Sequence, residues 1–251
     1  EDISPEVGSV PDLPPTDDMW DLVFSSEAGA TCDDNQLLGG EFAVDKFYIT
    51  GGNNGGSPNK VYILNADGSY NTEFDQWSSA GWGWRDLAYD GTYLYGSDDY
   101  TVDAFDLDGN SVPGMNITGP YSPCRALAYD PVTDHFWTAS FSSPIYEFDR
   151  SGAVIYTGSS GLTAIYGMAW DDAAPDGPWL WIHDQTGGCV IHQYDPINHT
   201  LTGVSYTLPL LPGSTSQIAG GLFMTDEWDP GWHLLGGVTP VSYTHLTLPT
   251  N

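Results

Sequence analysis

A short pattern recurs along this chain at intervals of about 40 residues, and that recurrence restricts the fold more than any other feature. Residues 85–90 read RDLAYD, residues 125–130 RALAYD and residues 166–171 YGMAWD, spaced by 40 and 41 positions. GEFAVD at 40–45 precedes them by 45, and a looser copy, IAGGLFMT, opens at 218. The first four copies are each followed by an aromatic-rich run (47–50, 93–95, 136–138 and 179–182). A third run then ends in a polar turn: VYILNADG at 61–68, VDAFDLDG at 102–109, IYEFDRSG at 145–152 and IHQYDPIN at 191–198. Asp-Gly at 90–91 and at 108–109 marks hairpin turns, because such turns need positive φ. Units of about 40 residues with several strands each are the mark of propeller blades. Helical solenoids share the period but lack this Gly, Pro and β-branched punctuation. The reading is an all-β protein, a β-propeller of five blades, with six as the runner-up.

Blades one to four are expected at 41–77, 85–118, 125–158 and 166–208, with first strands at 42–44, 86–89, 126–129 and 167–170. The fifth blade begins with a strand at 221–224 and is expected to be cut short. First strands such as Leu87-Ala88-Tyr89 are small or apolar on both faces, which suits an innermost strand packed between neighbours. Three segments follow from this division. Residues 1–17 hold five acids and four prolines and read as an extended linker. Residues 18–240 are the propeller. Residues 241–251, VSYTHLTLPTN, resemble a translated sequencing adapter and are read as a non-native tail. The early run MWDLVFS at 19–25 then has a role: residues 20–24 are expected to join the sheet of 221–224, closing the ring with the opposite terminus.

Charge excludes several partners. With 34 acidic and 5 basic residues the chain carries a formal net charge of −29, which repels nucleic acid and anionic lipid. No run of 18 apolar residues is present to cross a membrane as a helix. No signal-peptide pattern opens the chain at Glu1, so any export signal is expected to lie outside this sequence. Cys32, Cys124 and Cys189 lack zinc spacing and permit at most one internal disulfide. Asn116 and Asn198 open glycosylation sequons.

The candidate sites lie where first strands begin. Arg85 and Arg125 occupy one repeat position near the mouth of the central channel, and they are two of the five basic residues. They form either a guanidinium pair for an anionic ligand group or internal ion pairs with Asp86 or a neighbouring blade's carboxylate. The second, architectural role is the one expected. Trp82 and Trp84 lie in the loop leading to blade two, and Tyr166 takes the arginine position in blade four; exposed rings there would stack on sugars or peptides. His183 and His192 flank a Thr186-Gly187-Gly188-Cys189 turn and would face each other across a two-residue loop, a weak candidate metal pair. The segments 65–68 and 106–109 resemble the start of calcium loops without the remaining ligands, so calcium stays open while turn chemistry explains them as well. No G-x-S-x-G, H-E-x-x-H or phosphate-binding glycine loop occurs.

The order of these motifs (WDLVFS, the two LAYD repeats, IYGMAWD with PWLWIHDQ, and AGGLFMT) resembles an uncharacterised propeller module of secreted Bacteroidetes-type multidomain proteins. That resemblance implies an extracellular or cell-surface location associated with type IX secretion, and a ligand of unknown identity. The functional expectation is a non-catalytic module, monomeric within a longer chain, that binds a carbohydrate, peptide or protein. The alternative is a propeller enzyme of lactonase, lyase or glycosidase type working at the channel mouth, with or without calcium.

Overall fold

The computed structural model describes residues 20–78, 81–211, 216–229 and 231–240, together with the backbone of residues 245–249. The expected linker at 1–17 lies outside these residues, as does all of the 241–251 segment except that backbone. Strand β1 (Leu22–Glu27) and a five-residue helix, α1 (Ala28–Cys32), come first. A blade follows, made of β2 (Leu37–Ala43), β3 (Lys46–Gly51), β4 (Lys60–Asn65) and β5 (Tyr70–Asp75). The second blade comprises β6 (Leu87–Tyr89), β7 (Leu94–Ser97), β8 (Thr101–Phe105) and β9 (Ile117–Thr118). The third holds β10 (Ala126–Asp130), β11 (His135–Ala139), β12 (Ile145–Asp149) and β13 (Val154–Gly158). The fourth holds β14 (Ile165–Asp171), β15 (Trp179–Asp184), β16 (Val190–Asp195) and β17 (Thr200–Thr207). The chain continues into β18 (Leu222–Thr225), β19 (Leu234–Thr239) and β20 (His245–Pro249).

The protein is all-β, with its sheets in a propeller arrangement. Four antiparallel sheets are each built from four consecutive strands, while a further four-stranded sheet is composite, in the order β1-β20-β19-β18. The sheet of 221–224 therefore does contain the early strand, but β1 pairs with β20 rather than with β18 or β19. Where a shortened blade was expected, β20 lies between β1 and β19 and the sheet has four strands. Blade one also begins earlier than the repeat suggested. Its hairpin turn is Val44-Asp45, both at positive φ (48° and 63°), so Asp45 is a turn residue and not the counterpart of Asp90.

Local chemistry explains the other hairpins. Asp90, Asp130 and Asp171 each accept two N–H bonds from the turn that follows, at Thr92 and Tyr93, Val132 and Thr133, and Ala173 and Ala174. The recurrent aspartate is thus a turn-former, which is why it repeats. Asp106, Asp149 and Asp195 do the same for the turns between third and fourth strands.

Apolar packing lies between the sheets. Ala43, Tyr48, Trp84 and Leu87 join blades one and two; Ala88, Tyr95, Leu127 and Phe136 join blades two and three. Ala126, Trp137, Met168 and Ile182 join three and four, and Ala169, Trp181, Leu222 and Leu235 join four to the composite sheet. Phe24, Phe47, Phe223 and Val238 tie that sheet back to blade one. Asp86 stands where all of these inner strands meet. Its Oδ2 accepts N–H bonds from Leu127 and Met168, both 3.0 Å long. Glycine makes room for it: a Cβ on Gly221 would collide with Asp86 Oδ1, and one on Gly39 would lie 2.8 Å from its Cα.

Candidate functional site

Two consequences follow from Asp86 pointing to the axis. Asp86 does not pair with Arg85 or Arg125, contrary to expectation: its Oδ2 accepts from backbone N–H groups of two other blades, and its Oδ1 is buried without a hydrogen-bond partner among the described residues. Its carboxyl is also held well above the usual carboxylate range, by burial first, against the lowering effect of those N–H bonds.

Arg85 and Arg125 meet at the mouth where β6 and β10 begin. Arg125 is only 8% exposed. Its guanidinium carbon lies 4.0 Å from the centroid of the Phe141 ring and 5.2 Å from that of Tyr166. Those two rings are in edge contact, 5.3 Å apart. The Arg85 guanidinium stands 6.0 Å from the Trp82 ring. Burial first, and then the charge of Arg125, bring the Arg85 pKa down to about 10 against the opposing charges of Asp98 and Tyr166. Burial also lowers Arg125. Among the described residues no carboxylate or carbonyl bonds either guanidinium, and the Nε atoms of both are buried without a partner.

Arg150 shows what an architectural arginine looks like in this protein. It donates to Asp90 at 2.8 Å, to Asp134 at 2.7 Å and to the Tyr95 hydroxyl at 2.7 Å. Burial alone would lower its pKa, and the bonds to Asp134 and Asp90 together with the neighbouring tyrosines outweigh that and hold the guanidinium above the usual range. Among the described residues, Arg85 and Arg125 make no such bonds; the charge of Asp98 acts on Arg85.

The structure thus brings Arg85, Arg125, Tyr166 and Trp82 together and removes Trp84 from the set. Trp84 is fully buried, stacked on Phe105 at 5.0 Å, with its Nε1 donating to Asp103. The sequence reading missed Phe141. It reaches the mouth because residue 141 has φ 49° and exchanges backbone hydrogen bonds of 3.1 Å with Ile165, so its ring sits beside Tyr166. Nothing in the repeat signals that bridge.

The histidine pair does not form. Register places His183 opposite Ile191 and His192 opposite Ile182, so the two side chains lie on opposite faces of the sheet. The turn runs through five residues, with Asp184 opposite Val190, because Gly187, Gly188 and Cys189 all take positive φ. His183 is instead buried against Gly220, its Nδ1 donating to that carbonyl at 3.0 Å. At the calcium-like segments, Asp67 accepts from Ser69 and Asp106 from Asp108 and Asn110, which is turn chemistry. The three cysteines are buried free thiols.

The chain matches no family model and no curated protein. Among solved structures it is similar to the crystal structure of Myxococcus xanthus glutaminyl cyclase, with a TM-score of 0.61 and 12% identity over 87% of this chain and 93% of that one. A likeness at that identity concerns the fold alone.

Proposed function

We propose that the chain is a non-catalytic binding module that takes an anionic ligand group at the mouth framed by Arg85, Arg125, Tyr166, Phe141 and Trp82. The observation that carries this reading is Arg125, 8% exposed and with no carboxylate partner among the described residues. A buried cation without a counter-charge is costly, and an incoming carboxylate or sulfate would relieve that cost along with the repulsion between the two arginines. Phe141 and Trp82 remain 42% and 45% exposed, so they offer ring faces to the body of the ligand.

The composite sheet is read as a fifth blade, supported by its apolar contacts to blade four on one side and blade one on the other. An extracellular or cell-surface setting, with a carbohydrate, peptide or protein as partner, is part of the same proposal and rests on the family resemblance. The test is calorimetric titration of acetate and of sulfate at constant ionic strength. Arg125→Gln and Arg85→Gln should each weaken binding about tenfold or more while changing unfolding stability by only about 1 kcal/mol. Loss of several kcal/mol in both variants with unchanged anion affinity would sink the reading.

A further inference from the structure

The opposite mouth of the wheel carries an opening of contrary chemistry. Tyr89, Tyr129, Trp170 and Met224, from β6, β10, β14 and β18, line a cleft of about 280 Å³ there, together with Asp172 and Asp226 and with His233 at the rim. Both aspartates are exposed, and no hydrogen bond or ion pair engages either among the described residues. Asp90 borders the same cleft, but its own turn, Tyr95 and Arg150 occupy its carboxylate. No lysine or arginine lines the opening.

Two further observations give this cleft its sign. The Tyr89 hydroxyl is pushed up in pKa by burial first and then by the neighbouring carboxyl groups of Glu227, Asp90 and Glu41. The same face already seats one cation of the protein's own: Arg150 lies 5.4 Å from the Tyr129 ring centroid and 5.6 Å from that of Tyr95, held by Asp90 and Asp134. Aromatic faces attract cations through their quadrupole, and the attraction grows as water is excluded. A bare metal ion is a poorer match. It needs converging oxygen or nitrogen ligands, and no group of three or more His, Cys, Asp or Glu able to hold one occurs among the described residues.

We propose that this cleft binds an alkylammonium group, seated against the rings of Trp170 and Tyr89 with Asp172 and Asp226 as its counter-charges. The proposal is independent of the anion site, since the two mouths share no side chain. It makes the wheel a two-faced binder, with an anion seat at one mouth and a cation seat at the other. The net charge of −29 raises the local concentration of any cationic ligand before it docks.

The probe is tetramethylammonium chloride, titrated calorimetrically into the full chain against sodium chloride of matching ionic strength, with tert-butanol as the uncharged analogue of similar shape. Tetramethylammonium is expected to bind about tenfold or more tightly than tert-butanol. The double variant Asp172→Asn, Asp226→Asn, at exposed positions, should keep the melting temperature and lose about tenfold in affinity. Trp170→Leu should lose a similar factor, and Arg125→Gln should lose none. Equal binding of tert-butanol overturns the proposal, as does unchanged affinity in the aspartate double variant, which would reduce the effect to the general negative field.

Discussion

Burial moves the titrating groups at the centre of this protein in opposite directions for one physical reason: it disfavours whichever form is charged. Asp86 and Glu41 are pushed up, and His183 is pushed down to about 4. The sign for His183 is clear. The unfolded chain takes up a proton near pH 6.5 while the native imidazole stays neutral until about pH 4, so the stability His183 contributes is complete above 6.5 and is lost as pH falls towards 4. The loss should reach about 3 kcal/mol. Urea unfolding of the wild type and of His183→Gln, compared at pH 7 and pH 4.5, measures it: the wild type should lose more stability than the variant. Parallel curves would show that His183 is not buried neutral. Asp86 and Glu41 contribute with the opposite slope above the ordinary carboxylate range, which is why the comparison needs a variant and not the wild-type curve alone.

At the scale of the elements, hairpins are joined by turns that the sequence announces, but side-by-side register and blade-to-blade clamps are another matter. Asp90, Asp130 and Asp171 were recognisable because an aspartate capping its own turn acts within four residues. Arg150, in the turn after β12, ties that blade to Asp90 of blade two across 60 positions. Replacing it with methionine leaves Asp90, nearly buried, without its cation. Arg150→Met should therefore cost roughly 2–3 kcal/mol in urea unfolding. The cost at Arg85 and Arg125 should be smaller, since they hold no internal acceptor. Equal losses at all three positions would erase the distinction between architectural and ligand-facing arginines. The histidines show the limit of local reading: three consecutive positive-φ residues at 187–189 lengthened the turn, and one residue of register moved the two rings to opposite faces.

For the whole molecule the formal charge is −29, and among the described residues only a few acids meet a base. Self-repulsion of that size is relieved by screening, so the melting temperature should rise as sodium chloride goes from about 10 mM to about 200 mM. Scanning calorimetry across that range decides it; a flat or falling curve would mean that local ion pairs matter more than the net field. The repeat, the all-β class and the turn positions were present in the sequence alone, because strand alternation and turn chemistry act over a handful of residues. What the tertiary structure alone decided was where non-local demands are met. The axis position of Asp86, the core burial of Trp84, the arrival of Phe141 beside Arg125 and the insertion of β20 between β1 and β19 all depend on which strands lie adjacent. So does the absence, among the described residues, of a hydrogen-bond partner on the Nε atoms of Arg85 and Arg125. Hydrogen-bond satisfaction and desolvation are properties of a packed neighbourhood, and no spacing along the chain specifies that neighbourhood in advance.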